Sequence, residues 1–117
     1  MTPCPEACLT CNDCFEATIS GLTSQCAGQN CEDWNGVYDL IATDLNLCEW
    51  TYTSGNFSIS IECSLSHWWL WIEYGITNCA IWSYPLSLSP ICPPIAGEAW
   101  NWVSGNCGEG VVTTNVC

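Results

Sequence analysis

Residues 48–63 read CEWTYTSGNFSISIEC, and their pattern sets the fold class. Cys48, Trp50 and Tyr52 alternate with Glu49, Thr51 and Thr53. After Ser54-Gly55-Asn56 the alternation resumes, with Phe57, Ile59, Ile61 and Cys63 on one face against Ser58, Ser60 and Glu62 on the other. A period of two on both sides of a Gly-containing turn is a β-hairpin with one buried face.

The same period extends in both directions. Downstream, HWWLWIEYG (67–75) places Trp68, Leu70, Ile72 and Tyr74 opposite His67, Trp69, Trp71 and Glu73, apolar on both faces. CAIWSYPLSL (79–88) continues as a strand that Pro85 confines to an edge or bulge. Trp100 and Trp102 share a face in a short strand beyond a Pro- and Gly-rich connection, and VVTTNVC (111–117) alternates to the end. Upstream, FEATISG (15–21) aligns Phe15, Ala17 and Ile19. GVYDLIAT (36–43) follows Asn35-Gly36 and reads as a strand, although Tyr38, Ile41, Ala42 and Leu45 also suit a helix. The expected fold is all-β: a disulfide-rich antiparallel sandwich or jelly-roll-like domain of about seven or eight strands. Residues 15–117 form this single domain, and residues 1–14 form an irregular Cys-rich N-terminal arm.

That arm contains CPEACLTCNDC (4–14), four of the twelve cysteines; the others are Cys26, Cys31, Cys48, Cys63, Cys79, Cys92, Cys107 and Cys117. Cys4, Cys8 and Cys11 match a cluster-binding spacing used on barrels larger than this chain can build. Cys8, Cys11 and Cys14 begin a ferredoxin-like run that lacks its next cysteine. Zinc would need a second paired set or histidines, and His67 is the only His. All twelve are therefore disulfide candidates, with no metal and no cofactor expected. Their pairing is not determined by spacing.

There is no Lys and no Arg, against twelve Asp and Glu, where average usage gives roughly a dozen basic residues. Such a chain cannot neutralise phosphates, which argues against nucleic acid and anionic membrane surfaces. Charged residues are only 10% of the chain, so its solubility rests on neutral polar groups and scattered carboxylates. The longest apolar-rich run, HWWLWIEYGI, is about half of a bilayer span, so no membrane insertion is expected. MTPCPEAC has neither a basic n-region nor an apolar h-region. The cysteines nevertheless imply an oxidising setting: secreted, cell-surface or virion.

Catalytic chemistry has little to draw on. His67 is the one imidazole, and a lone His beside two Trp is more often a packing or surface residue. Carboxylate pairs suit glycoside hydrolysis, but nothing selects one pair. Glu32, Asp33, Asp39 and Asp44 form no calcium loop. The expectation is a protein that is not an enzyme. The aromatics lead further: Trp69, Trp71, Trp100 and Trp102, with Trp82, are candidates for an exposed contact surface that stacks on sugars or on a neighbouring subunit, set against the alternative that they fill the core. Asn56-Phe57-Ser58 is a glycosylation sequon at the hairpin tip.

Cys26-x4-Cys31, Asn35-Gly36-x-Tyr38-x-Leu40 and Cys48-x-Trp50 resemble motifs of uncharacterised cysteine-rich β domains in secreted or phage-encoded proteins of environmental bacteria. The resemblance covers the first half of the chain and implies a disulfide-rich β domain without assigning an activity. Two functions follow as expectations. One is a structural building block or decoration of an extracellular assembly (filament, surface layer or virion), a homo-oligomer or polymer. The other is a small carbohydrate-binding module with a Trp stripe as its glycan site.

Overall fold

The computed structural model describes residues 2–117, so Met1 of the expected arm lies outside the described residues. The chain forms β1 (Cys14–Ser20), β2 (Gln25–Cys26), β3 (Gln29–Asn30), a short 3-10 helix (Cys31–Trp34), β4 (Gly36–Asp44) and β5 (Glu49–Ser54). There follow β6 (Phe57–Ser64), β7 (His67–Tyr74), β8 (Thr77–Pro85), β9 (Asn101–Gly105) and β10 (Val111–Val116). Residues 2–13 contain no strand, and the segment with two readings, GVYDLIAT, is β4.

Eight strands form one antiparallel sheet in the order β10-β1-β4-β5-β6-β7-β8-β9, while β2 and β3 pair separately. The all-β, disulfide-rich domain expected from the sequence is what forms, with facing layers that belong to a single curled sheet. Its outer strands meet: Ala99 bridges Thr113, and the Trp100 N–H donates to the Val112 carbonyl at 2.9 Å. The sheet is thus nearly a closed up-and-down barrel, a size whose interior side chains can fill. Phe15, Leu40, Trp50, Ile59, Ile61, Trp68, Leu70, Ile72 and Trp82 are fully buried within it.

Hairpin turns set the register. Ser54 pairs with Phe57 and Tyr74 with Thr77, leaving two-residue loops that each begin with a glycine at φ +62, Gly55 and Gly75. Glycine at the first central position is the usual requirement of a tight primed turn. The β6–β7 loop is different: Ser64 pairs with His67, and the two central residues, Leu65 (φ +50) and Ser66 (φ +67), are both left-handed without being glycine. That conformation costs an L-residue about 1–2 kcal/mol.

Four bridges gather at one end of the barrel and two at the other. Cys4–Cys63, Cys8–Cys48, Cys11–Cys92 and Cys14–Cys117 tie the N-terminal segment to the end of β6, the β4–β5 turn, the β8–β9 connection and the C-terminus. Cys26–Cys79 and Cys31–Cys107 tie the β1–β4 connection to β8 and to the loop after β9. The arm covers the first end, where its Asn12 carbonyl accepts from Trp50 Nε1 at 2.9 Å and the Ser89 carbonyl accepts from Trp68 Nε1 at 2.7 Å. Gly110 takes Trp82 Nε1, so each of these interior indoles has the partner that burial demands.

Candidate functional site

Strand β7 is apolar on both faces, and its neighbours decide which face goes in. Trp68, Leu70 and Ile72 lie opposite Cys63, Ile61 and Ile59 of β6, whereas Trp69 and Trp71 lie opposite Glu62 and Ser60. Burial of the isoleucines sends Trp68 inward and leaves Trp69 and Trp71 partly exposed on the outer face. Two residues apart on one strand, they stand side by side about 7 Å apart. Across β8 and β9 the face continues through Ile81 and Val103, and together these side chains line a groove of about 360 Å³.

Glu62 and Glu73 also line the groove, and Leu65 stands at its edge on the left-handed turn. The same turn fixes one ring, because the Ser64 carbonyl accepts from Trp69 Nε1 at 2.8 Å. His67 packs beside that ring, centroids 5.6 Å apart, with Nδ1 3.2 Å from the Leu65 carbonyl oxygen. Burial, then the nearby Glu49 and Glu73 carboxylates, hold the Glu62 carboxyl above its ordinary value of 4.5. With no Lys or Arg in the chain, no ammonium or guanidinium side chain offsets these charges. The groove therefore joins flat π-faces to carboxylate acceptors.

The remaining tryptophans face elsewhere. Trp100, expected at a contact surface, is 4% exposed and donates from Nε1 to Thr114 Oγ1 at 2.9 Å; it belongs to the core seam between the outer strands. Trp102 pairs with the buried Trp82 and packs half-buried against the core, its Nε1 enclosed without a hydrogen-bond partner among the described residues. Strand alternation gave these two Trp a common face, and that face points inward. Sequence reasoning also missed Glu62, Glu73, Leu65, Ile81 and Val103 as groove residues. The signal for Glu62 was its place across from Trp69 in the β6–β7 hairpin, readable once the register is fixed.

All twelve cysteines are paired. The Cys14–Cys117 sulfurs lie close to an Asp39 carboxylate oxygen, but as a disulfide they are not the thiolates that bind metal. Asn56, the sequon residue, is exposed at the β5–β6 tip.

A second surface feature occupies the arm-covered end. Leu9, Leu47, Leu65, Leu88, Ile91 and Ile95 are all exposed there, between 48% and 78%, whereas Val37, Ile76 and Val111 are the large aliphatics exposed toward the opposite end. The bridges place the first members together: Leu9 lies between Cys8 and Cys11, whose partners Cys48 and Cys92 adjoin Leu47 and Ile91. Leu88, Ile91 and Ile95 line a shallow apolar groove of about 370 Å³ with Pro90 and Pro93.

Six disulfides fit an oxidising extracellular environment, and among the described residues no helix is long and apolar enough to cross a membrane. No known protein family, no curated protein and no solved structure matches this chain.

Proposed function

We propose that the chain is a non-enzymatic building block or decoration subunit of an extracellular assembly such as a filament, surface layer or virion. The observation that carries this reading is the apolar end. Exposed aliphatics concentrated on one end of a domain, with prolines among them, mark a contact surface for a partner. In the assembly reading that partner is another copy of the chain. A polymer subunit also benefits from six bridges that hold its shape outside the cell, and from the lack of any Lys or Arg at which a trypsin-like protease could cut. Subunits of net charge −12 repel one another, so salt should promote their association. Analytical ultracentrifugation across concentration and salt, with negative-stain imaging, tests the idea. Association that strengthens with salt and is lost in L88S/I91S is expected; a monomer at millimolar concentration in high salt would sink it.

A second reading, a small carbohydrate-binding module, is favoured by the Trp69–Trp71 groove. Adjacent indole faces beside carboxylate acceptors suit a pyranose, whose C–H face stacks while its hydroxyls donate. Glycan-array binding that disappears in W69A/W71A supports the module, and an array with no specific binding counts against it.

A further inference from the structure

The groove on the outer face of β7 has a chemistry narrower than that of a general sugar platform. Two features of one surface meet there. Trp69 and Trp71 offer negative π-faces, one of them fixed by its bond to Ser64. Glu62 and Glu73 line the same groove, with Glu49 of the neighbouring strand close enough to raise the Glu62 carboxyl. A neutral glycan would use these carboxylates only as hydroxyl acceptors and would leave their charge uncompensated. A protonated amine would satisfy both features together, by cation–π attraction to an indole and a charge-assisted hydrogen bond to a carboxylate. The protein has no Lys or Arg to compete for that place, and His67, packed beside Trp69, is its one imidazole.

We infer that the Trp69–Trp71 groove recognises a cationic amino-sugar polymer, its pyranose faces on the two indoles and its ammonium groups beside Glu62 and Glu73. A simple organic cation would use the cage chemistry but only part of a groove of about 360 Å³. The inference rests on the carbohydrate-binding reading and specifies the substituent at C2. The strained Leu65-Ser66 turn supports it indirectly, since backbone held in a sparsely populated region is concentrated at binding sites.

Three β-1,4-linked tetrasaccharides that differ only at C2 test it: glucosamine, N-acetylglucosamine and glucose oligomers, titrated calorimetrically into the full chain. The amine should bind about tenfold or more tightly than the other two, as one added cation–π or ionic contact implies. E62Q/E73Q keeps the groove's shape and should erase the preference while leaving weak stacking. W69A/W71A keeps all twelve acidic residues and should abolish binding; near-UV circular dichroism of the remaining core tryptophans verifies its fold. Equal affinity for the three sugars would overturn the amine preference and leave the carbohydrate reading standing. No binding of any sugar would remove both. Amine-selective binding that survives in W69A/W71A would overturn the groove assignment, because it would reflect the overall charge alone.

Discussion

Replacing Cys14 and Cys117 with serine tests whether the bridges act as a mesh or as six separate ties. The bond joins positions 103 residues apart, and in a chain with no other links a loop of that length implies about 4.7 kcal/mol of lost unfolded-state freedom. Here Cys31–Cys107 already closes most of that loop. The shortest route from Cys14 to Cys117 without their own bond follows residues 14–31, crosses to Cys107 and follows 107–117. That is about 27 residues, a loop worth about 3.6 kcal/mol at 25 °C. The substitution is otherwise mild, since Cys14 is half-buried, Cys117 is exposed, and β1 and β10 stay paired from Phe15↔Val116 to Ser20↔Val111. We expect C14S/C117S to lose about 3.6 kcal/mol in guanidinium unfolding, with a larger m-value from the less constrained unfolded chain. The thermal midpoint should fall by about 15 °C for a domain of this size. A loss of about 4.7 kcal/mol or more would show that the other bridges do not share the constraint. A loss under about 1 kcal/mol would show that this closure does not limit the unfolded chain, and either result refutes the mesh argument.

Two further outcomes follow from local features. Replacing Leu65-Ser66 with Asn-Gly matches the side chains to a turn with two left-handed residues and should raise stability by about 1 kcal/mol, strain relief being partly offset by glycine's unfolded-state freedom; a chemical-denaturation midpoint that falls would contradict the strain. The second concerns pH: the folded protein holds the Glu62 proton more tightly than the unfolded chain, so this contribution is fully present below about pH 4.5 and is lost as pH rises through the folded value. Stability should therefore hold or increase from pH 7 to 4, with E62Q more stable than the parent at pH 7 and flatter in its pH profile. A melting temperature that drops steadily on acidification would refute this. Tyr84, raised by its hydrogen bond to Glu98 and then by burial, has the same sign at the alkaline end, where its contribution is lost above pH 10.

Local strand character was legible because it depends on side-chain period. Ser58, Ser60 and Glu62 against Phe57, Ile59 and Ile61 can be satisfied only by one buried and one wet face, and β6 has that pattern of burial. Direction was legible only where one face was polar. At Trp100 and Trp102 both faces allowed either assignment, and closure of the barrel resolved it by drawing Trp100 into the seam. The β6–β7 turn carries no glycine or asparagine at its two central positions, so its chemistry gave no warning. Pairing of the cysteines was illegible for a different reason: Cys4, Cys8, Cys11 and Cys14 are near one another in sequence but reach four separate parts of one barrel end, a fact of topology. The groove stood between these cases, since its Trp pair was visible and its carboxylates required the β6–β7 register.

A sheet whose outer strands carry no lysine lacks one of the usual defences against edge-to-edge pairing. Here β9 and β10 are the outer strands, and neither contains any charged residue. Their protection comes from closure and cross-linking. Trp100 and Ala99 bring the start of β9 against β10, Cys14–Cys117 fastens the end of β10 to β1, and Cys31–Cys107 holds the loop between β9 and β10 to the β1–β4 connection. Gly105 completes the packing, because a Cβ there would strike the Cys79 carbonyl where β9 meets β8. Exposing both edges means breaking the Ala99–Thr113 and Trp100–Val112 contacts, while the disulfides anchor the end of β10 and the loop between β9 and β10 to the rest of the sheet. Closure and cross-linking thus take the place of edge lysines at β9 and β10.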